Sequence, residues 1–86
     1  MKLSPSTVEA EIARQVKARG AGKTICPSEV ARALGEDWRE LMPLVRAVAD
    51  AMAAQGEVVV TQKGRAVQAA TARGPVRIGL AGQRFL

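Results

Sequence analysis

Apolar residues near the start of the chain recur at steps of three and four, which predicts an amphipathic helix. Ser6 and Glu9 have the Ser-x-x-Glu spacing of a capping box, so this helix is predicted to begin at Thr7. Gly20 follows the last apolar position and is expected to cap the helix. The predicted buried face consists of Val8, Ile12, Ala13 and Val16.

A second, shorter helix is predicted from Pro27 to the residue before Gly35. Proline suits the first helical position because its missing N–H has no partner there, and Glu29 in the first turn suits the helix dipole. Residues 24–25, just before it, are long enough for one β-bridge. The predicted buried face of this helix consists of Val30, Ala31 and Leu34.

The longest periodic stretch predicts a third helix that ends at Gly56, with Asp37 and Glu40 as a second capping box. Pro43 leaves two interpretations open, a helix that begins at this proline or one distorted helix from Trp38. The apolar stripe continues through the proline and favours the single helix. Its members are Leu41, Val45, Val48, Ala49 and Met52.

After Gly56 the pattern changes to that of strands. Residues 57–62 contain three consecutive valines, residues 63–64 supply a turn, and residues 65–68 read as a return strand, which together predict a hairpin. Residues 69–74 form a loop of small side chains. The alternation in residues 76–80 predicts a final strand with one buried face.

This order of elements is typical of a winged helix-turn-helix. The predicted fold class is therefore α+β, with three helices and a small antiparallel sheet whose hairpin forms the wing. A chain of 86 residues has room for one domain. We expect a single winged-helix domain over residues 1–86, with residues 1–6 and 81–86 as loose tails.

The positive charge of the chain is concentrated near its C-terminus. The net charge is +5, and residues 58–86 contain five basic residues and no acidic one. Such a distribution favours a polyanionic partner, although basic faces also occur on small domains as solvated surface. Aromatic residues make up only 2% of the chain, so a base-stacking platform for single strands is not expected.

Catalytic and metal chemistry are not expected. The chain has no histidine and one cysteine, which excludes an internal disulfide and a tetrahedral zinc site. Cys26 has no histidine to activate it, so it is interpreted as a small capping residue. Residues 20–24 end like a phosphate-binding loop but lack its first glycine and its strand-to-helix setting. No cofactor is predicted.

The chain has no signal-peptide pattern and no apolar run long enough to cross a membrane. We therefore expect a cytoplasmic protein without membrane contact.

Four stretches of the sequence stand out, at residues 22–32, 38–46, 60–64 and 73–77. They resemble the corresponding stretches of a family of small bacterial proteins classed as a domain of unknown function. The resemblance covers most of the chain, from Val8 to Leu80. It implies a winged-helix fold and a cytoplasmic bacterial origin, and it implies no function. At residues 67–70 the chain lacks the acidic residue and the proline that the resemblance leads us to expect.

The candidate nucleic-acid interface combines the third helix with the hairpin. Arg39 and Arg46 are two helical turns apart and are expected to offer guanidinium groups to guanine edges or phosphates. The hairpin is expected to contact the phosphate backbone. Its candidate residues are Thr61, Gln62, Lys63 and Arg65, with Lys23, Arg73 and Arg77 as outlying phosphate contacts. The function hypothesis is duplex-DNA binding without catalysis.

The alternative hypothesis is a protein-interaction module in which the basic hairpin meets an acidic protein surface. An exposed Trp38 beside Met42 and Leu44 would favour this alternative, whereas a buried Trp38 is compatible with DNA binding. Acidic residues at the start of the third helix, including Glu40, weaken the DNA hypothesis. Ordered packing of residues 85–86 against another chain would indicate a dimer, and the oligomeric state is otherwise open.

Overall fold

The computed structural model describes residues 3–81. Its three helices and four strands follow the predicted order and form an α+β fold that is compatible with a winged-helix arrangement. Residues 85–86, whose packing against another chain would indicate a dimer, lie outside the described residues. The elements are α1 (Pro5–Arg19), β1 (Thr24–Ile25), α2 (Pro27–Leu34), α3 (Trp38–Ala54), β2 (Val58–Gln62), β3 (Arg65–Ala66) and β4 (Arg77–Leu80).

The strands form one antiparallel sheet in the order β1-β4-β2-β3. The central strand β4 places Ile78 opposite Ile25 of β1 and Val60 of β2, so the short first strand docks on the last strand. The return strand β3 is shorter than predicted and pairs through only two residues. We call residues 58–80 the wing and residues 67–76 the wing loop.

The core lies between the three helices and the inner face of the sheet. The predicted apolar stripes of the helices are confirmed, and Ala13, Leu34 and Leu41 are half-buried at the margin of the core. Complete burial of one such aliphatic side chain contributes about 1.5–3 kcal/mol. The buried hydrophobic residues of the core are Val8, Ile12, Val16, Ile25, Val30, Ala31, Val45, Val48, Ala49, Met52, Val58, Val60, Ala69, Val76 and Ile78.

Helix α1 begins at Pro5, two residues earlier than predicted. Ser4 is the N-terminal cap, and its hydroxyl accepts a hydrogen bond from the Thr7 N–H at 3.3 Å. The predicted capping box of Ser6 and Glu9 is therefore wrong. The physical reason for the earlier start is Pro5. Proline suits the first helical position, so the serine before it, Ser4, becomes the cap. Part of the expected N-terminal tail is thus helical.

Helix α2 begins after Cys26, as the proline predicts. The Glu29 carboxylate accepts hydrogen bonds from the Cys26 backbone N–H at 2.8 Å and from the Arg19 guanidinium at 2.6 Å. The Cys26 hydrogen bond is the main reason that the pKa of Glu29 lies below its ordinary value of 4.5, and Arg19 lowers this pKa further against partial burial. The contacts fix the start of α2 against the end of α1.

Helix α3 runs without interruption through Pro43, which confirms the single-helix interpretation. The predicted capping box of Asp37 and Glu40 is wrong, because the Asp37 side chain makes no capping hydrogen bond. Asp37 has φ −87° and ψ 47°, outside the extended conformation that directs a cap side chain back to the first turn. Only its backbone oxygen contributes, by accepting the Glu40 N–H at 3.0 Å.

Gly79 allows β1 to approach the centre of the sheet. A Cβ atom at this position would lie 3.1 Å from the Lys23 carbonyl oxygen and 3.2 Å from the Thr24 Cγ2 atom. Both neighbours belong to the segment that pairs with β4, so a side chain here would push the strands apart. Gly35 is a contrasting position, because a Cβ atom there would only meet Leu41 Cδ1 at 3.7 Å.

We predict that Gly79→Ala lowers the free energy of unfolding by about 1–2 kcal/mol, because the added methyl group overpacks the β1–β4 contact. Gly35→Ala is the matched control and should change that free energy by no more than about 0.5 kcal/mol. Urea denaturation followed by circular dichroism measures both. Equal stability of the two variants would contradict the close approach at Gly79.

Candidate nucleic-acid interface

A groove of about 640 Å³ runs along the wing and is bordered by four cationic residues. Among residues 3–81, no acidic residue lines it. We call it the wing groove. Its lining consists of Gln62, Lys63, Arg65, Val67, Arg73, Pro75 and Arg77, and so it joins the hairpin tip to the wing loop and β4.

The hairpin tip presents two exposed cations. Gln62 pairs with Arg65 across the turn, so Lys63 and Gly64 are the two residues of the loop. Lys63 has φ 53° and Gly64 has φ 82°, and positive φ at both positions is the feature of the type I′ turns that fit the twist of a hairpin. Lys63 and Arg65 are both exposed. Their charged groups are therefore accessible to a large ligand.

Gln62 holds the wing loop against the hairpin. Its side-chain N–H groups donate to the Arg73 carbonyl oxygen at 2.5 Å and to the Pro75 carbonyl oxygen at 3.1 Å. The amide is thus used within the protein, while the Arg73 side chain is exposed at the groove. Thr61 is half-buried within β2, where it pairs with Ala66 and Arg77.

Arg77 lines the wing groove and is also hydrogen-bonded within the protein. Its Nε–H donates to the Thr24 hydroxyl at 2.8 Å, and its Nη2 donates to the Thr24 carbonyl oxygen at 3.2 Å. The remaining Nη1 contacts the Cys26 sulfur. The half-buried guanidinium therefore connects β4 to β1 and to the start of α2, and its charge still borders the groove.

Arg46 and Asp50, one turn apart on α3, bind the backbone of the wing loop. The Arg46 guanidinium donates to the carbonyl oxygens of Ala69, Ala72 and Gly74 at 2.8, 3.1 and 2.9 Å. The Asp50 carboxylate accepts the N–H groups of Ala69 and its neighbour in the chain at 2.6 and 2.9 Å. We call Arg46 and Asp50 the loop latch. Asp50 is not among the site residues that the sequence predicts, and Arg46, which is predicted to contact DNA, directs three of its donors to the protein's own loop.

Arg39 has different surroundings from Arg46. Its guanidinium carbon lies 4.5 Å from the centroid of the Trp38 ring, and that of Arg32 lies 4.4 Å from the same centroid. Both arginines are exposed, whereas Trp38 is half-buried and packs against the core. Lys23 is exposed in the turn before β1. Neither Arg39 nor Lys23 lines the wing groove.

Acidic side chains surround the start of α3. Glu36, Asp37 and Glu40 are exposed and border a second groove of about 310 Å³. Within residues 3–81 the ion pairs are those of Arg14 with Glu11 and of Arg19 with Glu29. The three carboxylates at α3 and the cations of the wing groove are therefore not neutralised by each other.

In residues 3–81 no group of three His, Cys, Asp or Glu residues is arranged to hold a metal ion. Over the same part of the chain, no helix combines the length and the apolar character that crossing a bilayer requires.

Comparison with known proteins identifies the family of the chain. The model of a family described as "Protein of unknown function (DUF3253)" matches residues 5–81. The chain belongs to this family, which confirms the resemblance to a family of unknown function. A search of curated proteins finds no significant match.

We predict that Arg46→Ala lowers the free energy of unfolding by about 1.5–3 kcal/mol, because three carbonyl oxygens of the wing loop lose a charged donor. Arg39→Ala removes an arginine from the same helix and should cost only about 0.5–1 kcal/mol, the contribution of an exposed cation–π contact. Urea denaturation of the two variants measures the difference. A larger loss for Arg39→Ala would contradict the structural role of the latch.

Proposed function

We propose that this chain binds duplex DNA through the wing groove and catalyses no reaction. The observation that carries the proposal is the grouping of Lys63, Arg65, Arg73 and Arg77 around one open groove, to whose lining the described part of the chain contributes no carboxylate. Binding of lysine and arginine to phosphates releases condensed counterions from DNA, and this release supplies much of the affinity of DNA-binding proteins. On this proposal the protein acts in the cytoplasm of a bacterial cell.

The four cations have different tasks in the proposed complex. Lys63 and Arg65 stand at the exposed hairpin tip and contact phosphates directly. Arg73 extends this surface along the wing loop, whose backbone is held by Gln62. Arg77 keeps its hydrogen bonds to Thr24 and adds positive charge to the lining of the groove. The outlying Lys23 contributes only to the long-range field.

A second candidate function is the docking of an acidic protein surface. The observation that favours it is the pair of exposed arginines, Arg32 and Arg39, over the Trp38 ring. Tryptophan and arginine are enriched among the residues that dominate protein interfaces. DNA binding ranks first, because Trp38, Met42 and Leu44 are half-buried against the core instead of forming an exposed apolar patch.

We predict that changing Lys63 and Arg65 together to alanine weakens binding to every duplex and reduces the slope of log K against log salt concentration by about two. Fluorescence anisotropy of a labelled duplex, titrated at several salt concentrations, measures both quantities.

The matched control is Arg14→Ala with Lys17→Ala, which lowers the net charge by the same amount on the exposed side of α1. This control should retain the slope of the parent chain. Equal losses of affinity and slope in the two double variants would show that only net charge matters and would contradict a site at the wing.

A further inference from the structure

Resting on the proposed function, we infer that the wing holds the duplex by its phosphate backbone while α3 stays outside the major groove. The partner is then duplex DNA of any sequence. In many helix-turn-helix complexes the N-terminal residues of the recognition helix contact base edges in the major groove. Three features in or beside α3 and one of the wing favour a different mode of binding.

The first feature is that the Arg46 guanidinium is hydrogen-bonded to the protein's own wing loop. An arginine that reads guanine directs two N–H groups at the O6 and N7 atoms of the base. Both terminal nitrogens of Arg46 already donate to carbonyl oxygens of the wing loop, at distances of 2.8–3.1 Å. Moving the guanidinium from the wing loop to a base edge would break these three hydrogen bonds and release the loop that carries Arg73. Arg46 is therefore a positioning residue for the wing and not a reader of bases.

The second feature is the acidic N-terminal end of α3. Glu36, Asp37 and Glu40 are exposed at the end of the helix that would have to enter the groove. DNA carries phosphates along both edges of its major groove, so this end of the helix meets like charge as it approaches. The positive charges of Arg32 and Arg39 offset only part of the negative charge of the three carboxylates, which leaves this region with one net negative charge. The wing groove, by contrast, has four positive charges.

The third feature is the position of the two arginines beside this acidic end. The guanidinium groups of Arg32 and Arg39 lie over the Trp38 ring, 4.4 and 4.5 Å from its centroid. Stacking on the ring holds both groups close to the protein surface, so they are not extended toward a base. Contact with a guanine edge would require them to leave the ring.

The wing has the properties that backbone binding needs. Lys63 and Arg65 stand in and directly after an exposed two-residue turn, and Arg73 stands on a loop of small residues that the loop latch and Gln62 hold in place. Lysine and arginine contacts to phosphates fix position on the duplex and carry no direct sequence information. The inferred complex is therefore sensitive to salt and indifferent to base sequence.

The experiment has two parts. In the first, the full chain is exposed to a randomised duplex pool, and the bound fraction is sequenced after several rounds of selection. In the second, anisotropy titrations on A·T-rich, G·C-rich and mixed 20-base-pair duplexes compare the parent chain with three variants. The variants are Arg32→Ala with Arg39→Ala, Lys63→Ala with Arg65→Ala, and Glu36→Gln with Asp37→Asn and Glu40→Gln. Circular dichroism confirms that each variant is folded.

We expect no enriched motif and affinities for the three duplexes that agree within about threefold. The Arg32 and Arg39 variant should bind within about twofold of the parent with an unchanged salt slope, whereas the Lys63 and Arg65 variant should lose about two units of slope. The amide variant should bind all duplexes more tightly by a similar factor, because a repulsive charge has been removed.

Two kinds of result would overturn the inference. An enriched motif that binds more than tenfold better than the pool, with a preference that the Arg32 and Arg39 variant loses, would show that α3 reads bases while DNA binding itself stands. Failure of the parent chain to bind any duplex at low salt would instead remove the proposed function and the inference together.

Discussion

The hydrogen bonds between α3 and the wing loop determine which surface the domain can present. The wing loop has little regular structure, so its backbone N–H and C=O groups require partners other than a strand ladder. Arg46 and Asp50 supply five hydrogen bonds to this backbone, and Gln62 supplies two more from β2. A segment of mostly small residues is thereby held in one conformation. The exposed side chain of Arg73 is placed beside the hairpin tip as a result.

This arrangement divides the polar residues of α3 and the wing between two tasks. Arg46 and Asp50 are used inside the protein, and Arg77 joins β4 to β1 and α2. Lys63, Arg65 and Arg73 keep exposed side chains on the wing groove. The acidic start of α3 lies outside this groove. The proposed DNA site therefore follows the wing, and the helix acts mainly as its support.

Periodicity alone predicted most of the fold, because a small aliphatic core leaves a clear stripe on each helix. It also predicted the passage of α3 through Pro43, since the stripe from Leu41 to Met52 continues across the proline. The helix starts were harder to predict. Ser4 and Ser6 are both plausible caps, and only the backbone at Pro5 decides between them. Asp37 has the spacing of a cap but not the conformation.

The candidate site was only partly predictable for a related reason. Sequence shows which residues carry charge but not which of their donors bind the protein itself. Lys63 and Arg65 follow from the turn pattern, whereas the use of Arg46 depends on where a loop 23–28 residues later returns to α3. The four-residue spacing of Arg46 and Asp50, together with a later loop of small residues, was the available signal for the latch. This spacing does not indicate which backbone atoms the two side chains bind.

The most direct test of a wing-led DNA complex is a two-dimensional ¹H–¹⁵N NMR titration of the chain with a mixed-sequence duplex at low salt. If the wing leads binding, the backbone amides of Lys63, Gly64, Arg65 and Arg73 shift first. The indole N–H of Trp38, the only tryptophan, should stay near its position, as should the Arg39 amide. Early shifts at Trp38 and Arg39 with an unchanged hairpin tip would contradict DNA binding led by the wing.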